Sequence, residues 1–256
     1  MVCEYTFVFM PQSYPSSVKA DDNLLPLVIE LNTVLGVALQ SLGGKSTEGE
    51  ASYLVWAASH VSRLVAGYIE LRKCGLTYAS KLLVRPVLES AVDAVAAVKR
   101  PEFILYKASK EHHDASKLLL EIRAIFESRN QPTSEIDKNI ADMESQWRRF
   151  EHDWIKRRPN DAKRPKKMDF KRTLELIGLG DWYAQYRIYS HFTHGSVRAA
   201  AGDFDAMTDE PDNLIIGWFT IAILVALKQF TPAELPDLSG FPKRLTAFMK
   251  EPSNCQ

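Results

Sequence analysis

Residues 78 to 100 read YASKLLVRPVLESAVDAVAAVKR, and the fold of the chain turns on how that stretch is taken. Small and apolar residues fill nearly all of it, interrupted by Arg85, Glu89 and Asp93, each four residues after the last. Four residues is about one turn of an α-helix, so the three charges share one stripe and the remaining surface stays apolar. That pattern predicts a long helix from Thr77 to about Arg100, buried on most of its circumference. Pro86 lies inside it and removes a backbone donor, which should kink or loosen the preceding turn.

The pattern recurs on both sides. Upstream, Asp22 is an N-cap, and Leu24, Leu27, Val28, Leu31, Leu35, Ala38 and Leu42 follow at helical spacing until Gly43-Gly44 stops the run. A polar linker, KSTEGE, leads into a second helix from Tyr53 to Lys73 that carries Val55, Trp56, Leu64 and Tyr68, with Gly75 as its stop. Downstream, Pro101 starts a helix to about Glu127. Ser134 caps another to about Ile155, whose apolar side is Ile136, Ile140, Met143, Trp147, Phe150 and Trp154. Asp169 caps a short helix, Phe170 to Ile177, and Gly178-Leu179-Gly180 turns the chain into YAQYRIYSHFTHGSVR, residues 183 to 198. An acidic loop from Gly202 to Asn213, with Asp203, Asp205, Asp209, Glu210 and Asp212, precedes a last long apolar helix over 214 to 230. A further helix near 241 to 250 lies in the tail. No convincing run of alternating residues marks a strand, and no internal repeat is visible. The expectation is an all-α protein, a single helical domain over 1–256. Its core of 22–230 is a bundle of long antiparallel helices, with an irregular N-terminal arm over 1–20, a basic loop, and a C-terminal tail over 231–256.

Composition narrows the functional classes. Among 256 residues, 32 basic and 32 acidic side chains cancel, so any attraction to nucleic acid must be local. Cys3, Cys74 and Cys255 are odd in number and far apart, which gives neither a disulfide framework nor a zinc site and fits a cytoplasmic protein. Glu4 stands where a secretory signal would want positive charge. The run Leu214 to Leu227 is fourteen residues long, short of the roughly twenty a bilayer span needs, so a buried core helix is expected and no membrane partner. Between Arg148 and Arg172, eleven lysines and arginines face four acids. Arg157, Arg158, Lys163, Arg164, Lys166 and Lys167 are the phosphate contacts this block would offer, with Trp147, Phe150, Trp154 and Phe170 nearby for stacking. A charged loop of this kind is also commonly just a solvated surface.

Residues 183 to 198 concentrate the chemistry. On a helix, Arg187 and His194 fall within about 20° of one another, two turns apart. A metal-free ribonuclease must take a proton from the attacking 2′-hydroxyl and give one to the leaving oxygen, and an imidazole titrating near neutrality can do either. A guanidinium at the same phosphate stabilises the charge that builds on its oxygens. The same pair also reads as a histidine bonded at a helix-packing surface beside an exposed arginine. Arg85 and Glu89, one turn apart, would orient that pair from a facing helix, or else form a solvated stripe continued by Asp93. His191 and His194 could share a metal with Asp203 or Asp205, but no spacing fixes a third ligand, and neither a metal nor another cofactor is expected. Ser190 and His194, four apart, lack the strand-turn-helix elbow of a hydrolase nucleophile.

Two of these stretches resemble a known family. RPVLESAVDAVAAVKRPEFILY, within the segment from about Ser59 to Tyr106, looks like the Arg-x-x-x-Glu helix of a bacterial family catalogued as a domain of unknown function. Tyr186-Arg187-x-x-Ser190-x-x-x-His194-Gly195-Ser196 looks like its second signature. With the turn at 178 to 180, the likeness covers roughly residues 50 to 200. That family is similar in turn to the HEPN helical superfamily. Its nuclease members carry Arg-x(4 to 6)-His on a late helix and act largely as dimers in toxin-antitoxin and phage-defence systems. Six residues separate Arg187 from His194, the long limit of that motif, and Ile188 stands where a polar residue is common. The resemblance implies a metal-independent ribonuclease of a defence or toxin module, with RNA as substrate and a second copy or another protein of the module as partner. In that scheme His194 is the general acid/base and Arg187 stabilises the transition state, while Glu89, Arg85, Ser190 and Tyr186 support them. The alternative is a non-catalytic helical interaction protein whose Arg/His/Glu stripe is structural.

Overall fold

A computed structural model describes residues 24–42, 50–157, 169–193, 211–229 and 235–250, and every described element is helical. In chain order these are α1 (Leu25–Leu42), α2 (Glu50–Lys73), α3 (Thr77–Lys99), α4 (Phe103–Ser128), α5 (Ser134–Arg157), α6 (Phe170–Ile177), a single 3-10 turn (Gly180–Trp182), α7 (Tyr183–Thr193), α8 (Pro211–Lys228) and α9 (Gly240–Lys250). The all-α class read from apolar spacing therefore holds. The N-terminal arm, Gly43-Gly44, residues 45–49 of the KSTEGE linker, and residues 158–168 and 194–210 lie outside the described residues.

The chain divides into two compact units, Met1–Lys99 with Asp169–Gln256, and Arg100–Met168. In the first, α2 and α3 are joined by only three residues and pack along one another as a helical hairpin, with α1, α7 and α8 laid against the pair. Gly75 makes the connection by adopting φ 71°, a left-handed conformation that a side chain would oppose. The centre of this unit is α8. Its residues 212–224 are buried without a break, as expected of a helix with no polar face of its own. Two of its buried polar side chains are bonded inside the protein: Tyr68 donates to Asn213 Oδ1 at 2.8 Å, and Thr220 returns its hydroxyl to the Ile216 carbonyl at 2.7 Å. The α8 helix begins at Pro211, three residues earlier than the apolar run suggests, so Asp212 belongs to its first turn rather than to the acidic loop.

The long helix read from residues 78 to 100 is α3. Val84, Val87, Leu88, Ala91, Val92, Ala94, Ala96 and Ala97 have no exposed surface, and the helix runs through Pro86 as one element. Among the described residues α1 alone is long and apolar enough to cross a membrane by length and composition, a property that core helices share. In this fold Leu27, Val28, Leu31, Leu35, Ala38 and Leu42 are its buried side, and α2 and α8 pack against it.

The second unit is a hairpin of α4 and α5. Aromatic contacts hold it: Tyr106 on Trp154 at 5.9 Å, His112 on Phe150 at 5.3 Å and His113 edge-on to Trp147 at 5.0 Å. Arg123 adds an ion pair to Asp137 at 2.6 Å. Trp147, Phe150 and Trp154, near the basic block, are thus already engaged in packing the hairpin.

Candidate functional site

α6 and α7 follow one another through a tight connection, and local sequence dictates it. Asp169 caps α6 by accepting the Arg172 N–H at 2.9 Å, and Gly178 ends it at φ 80°. Lys99, the last residue of α3, donates to the terminal carbonyl of Ile177 at 2.6 Å. Burial of that ammonium lowers its pKa from the usual lysine value. α7 then lies against α3, with Tyr189 and Phe192 buried beneath it.

Across that contact the stripe of α3 meets the stripe of α7. Arg85 Nε donates to Glu89 at 2.9 Å, and its Nη2 donates to the Tyr186 hydroxyl at 3.0 Å. The guanidinium also sits 5.0 Å from the Tyr186 ring centroid. The Tyr186 hydroxyl shares further hydrogen bonds with Glu89 and Ser190. Burial of the phenol pushes its pKa above the ordinary tyrosine value. The Glu89 carboxylate adds to that rise, and the Arg85 charge and the Ser190 hydroxyl oppose it. Arg85 is mostly covered at 16% side-chain exposure, while Glu89 keeps 37%. The arginine is therefore committed to holding two side chains, whereas one edge of Glu89 still meets water.

Arg85, Glu89, Tyr186 and Ser190 thus come together where α7 packs on α3, whereas the sequence reading has Arg85 and Glu89 orienting Arg187 and His194. Arg187 does not join them. One residue beyond Tyr186 is a 100° rotation, and Arg187 is exposed, with no ion pair among the described residues. His194 and the Gly195-Ser196 that follow it lie outside the described residues, as do Asp203 and Asp205. His191 is half-buried on α7, and no cluster of three or more metal-ligating side chains occurs among the described residues. Of the basic block, Arg157 is exposed at the end of α5, and Arg158, Lys163, Arg164, Lys166 and Lys167 are outside the described residues.

Lys81 is not singled out by sequence, and Asp212 and Phe170 are read there in other roles, in an acidic loop and beside the basic block. Lys81 lies one turn before Arg85 on the same stripe, 1% exposed, with its ammonium 5.4 Å from the Phe192 ring. Its position in the series 81, 85, 89, 93 is the signal that would have marked it. Asp212, fully buried, accepts a short hydrogen bond from Tyr189 of α7. Its acidic neighbours disguise it as part of a loop. Phe170 stacks on Tyr186 with ring centroids 4.2 Å apart, a contact between two helices that no local spacing announces.

A model described as "Family of unknown function (DUF5677)" matches residues 53–213, a span that contains both halves of the α3–α7 network. No curated protein and no solved structure matches the chain.

Proposed function

The chain belongs to the DUF5677 family, and for it we propose a metal-independent, HEPN-like ribonuclease activity in which α7 presents Arg187 and His194 to the phosphate of RNA. The observation that carries this reading is the division of labour along α7. Tyr186 is fixed to α3 through Arg85 and Glu89 and is braced by Ser190 of its own helix, and the next residue after Tyr186, Arg187, stands exposed. An anchored helix that exposes a guanidinium with no ion pair among the described residues suits a preorganised phosphate clamp.

In the proposed reaction the 2′-hydroxyl of the substrate attacks its own 3′-phosphorus, and the P–O bond to the 5′-oxygen of the next nucleotide breaks. The products are a 2′,3′-cyclic phosphate and a 5′-hydroxyl. Arg187 stabilises the charge on the non-bridging oxygens, and the His194 imidazole transfers the proton. Arg85, Glu89, Tyr186 and Ser190 are positioning residues in this scheme, since their polar atoms are spent on one another. A homodimer would place two such helices in one particle, and a role in a phage-defence or toxin module rests on the resemblance to HEPN nucleases.

Expression in bacteria of wild type beside Arg187→Ala and His194→Ala tests the proposal, with growth and RNA integrity as readouts. Growth arrest and RNA cleavage should follow from wild type alone. Equal, harmless behaviour of all three, with no RNA cut in vitro, sinks it. A second reading is favoured by the same network, because a non-catalytic interaction protein would equally need α7 tied to α3. The two differ in stability: His194→Ala leaves melting almost unchanged if the group is accessible and catalytic, but costs about 1–3 kcal/mol if it satisfies buried partners.

A further inference from the structure

We propose that Tyr183, at the outer end of the ring file Phe170–Tyr186–Tyr183, is the seat of an unpaired nucleobase of a single-stranded nucleic acid whose adjoining phosphate is held by Arg187. The inference rests on the nucleic-acid reading above and adds to it the site that would accept a base.

Phe170 and Tyr186 are 4.2 Å apart between centroids, and Tyr183 continues the file 5.9 Å from Tyr186 with its plane only 25° away. All three rings are half-buried, whereas Trp182, Tyr189 and Phe192 on the same segment are core residues. Phe170 and Arg85 occupy Tyr186, so the inner rings are already engaged. Among the described residues Tyr183 has Tyr186 as its ring neighbour, and the exposed Lys171 places its ammonium 5.9 Å from the Tyr183 centroid.

Arg187 is four residues beyond Tyr183, so the two side chains are neighbours on one helix face, roughly 5–6 Å apart at Cβ. A base on the ring and its phosphate at the guanidinium are separated by a similar step. Three acids lie on or beside these segments, Asp169, Glu175 and Asp181, all exposed; Asp169 caps α6 and Glu175 is within 3.9 Å of Lys171. Arg187 makes no ion pair among the described residues. Ring stacking accepts any base, and a paired base in a duplex cannot reach the ring, so single strands are the class of ligand.

The test is fluorescence anisotropy on the full chain with 2′-O-methyl hexanucleotides, which cannot be cleaved through a 2′-hydroxyl. An intact hexamer should bind at least about tenfold more tightly than an abasic hexamer of equal charge, the scale set by one stacked base. Tyr183→Leu should erase that difference and Tyr183→Trp restore it, while Arg187→Ala weakens both hexamers alike and flattens their salt dependence. Equal affinity for intact and abasic strands, absence of binding, or an unchanged preference in a folded Tyr183→Leu protein overturns the proposal. Base-dependent binding without cleavage of unmodified RNA would refute the nuclease and leave this site standing, and cleavage without base dependence would do the reverse.

Discussion

Replacing Arg85 by Met keeps the length and apolar stem of the side chain and deletes the group that joins α3 to α7. Its guanidinium makes a bond to Glu89 at 2.9 Å, another to the Tyr186 hydroxyl at 3.0 Å, and a face contact with the Tyr186 ring. A hydrogen bond between a charged and a neutral group contributes about 1.5–3 kcal/mol when buried. The Glu89 pair is discounted to about 1 kcal/mol because that carboxylate is 37% exposed and remains solvated on one side. Adding about 0.5–1 kcal/mol for the cation over the ring, and allowing for overlap between contacts that share one group, Arg85→Met should cost about 2–3 kcal/mol. Tyr186→Phe, which loses a hydroxyl and keeps the ring, should cost about 1 kcal/mol. If the two side chains act through their mutual bond, the double variant is less damaged than the sum by about 1 kcal/mol. Urea midpoints by circular dichroism give the cycle, and deuterium exchange of the α7 amides shows whether the loss is local to that helix. Strict additivity of the two substitutions, or α7 amides as protected in Arg85→Met as in wild type, would refute the view that this network anchors the helix.

Two further outcomes follow from the same geometry. The Tyr186 pKa is raised in the fold, mainly by burial, so the unfolded chain loses that proton first as pH climbs past about 10. The stability contributed by the neutral hydroxyl is therefore complete below the unfolded value and lost as pH rises through the folded one. The urea-midpoint advantage of wild type over Tyr186→Phe should be constant from pH 7 to 9 and shrink above 10, and parallel curves would contradict it. Gly217→Ala would bring a new Cβ to 3.0 Å from Leu245 and 3.7 Å from Leu31, where α8 meets α9 and α1. An overpacking cost of about 1–2 kcal/mol in thermal melting is expected, and Leu245→Val in the same chain should recover part of it.

Sequence spacing located the described helices to within about three residues at their ends, most closely where a local device bounds them. Asp169 and Gly178 cap and stop α6, and Gly75 turns α2 into α3. What spacing could not supply is which face of α7 the core takes. Periodicity placed Tyr183, Arg187, Ser190 and His194 on one face, and a face that wide can be divided by a neighbouring helix. In the fold α3 takes the side with Tyr186 and Ser190, and solvent takes Arg187. The boundary falls between adjacent residues and is set by where Arg85 sits on another helix about one hundred residues away, which no window of α7 contains. The same limit applies to Lys81 and Asp212, whose burial depends on partners distant in the chain.

That boundary also separates two kinds of evidence for function. Anything that holds α7 in place predicts stability losses at Arg85, Glu89, Tyr186 and Ser190 and says nothing of chemistry. Arg187 bears the opposite signature: exposed and without an ion pair among the described residues, it contributes little to folding, so Arg187→Ala should change stability by no more than about 0.5 kcal/mol. A side chain so inexpensive to remove is the right place to look for function by mutation, since any loss of RNA binding or cleavage there cannot be ascribed to a damaged fold. At Arg85 the two effects are inseparable, because its guanidinium is committed to Glu89 and Tyr186. Arg187, rather than the better-ordered network beside it, is therefore the residue whose phenotype distinguishes an enzyme from a scaffold.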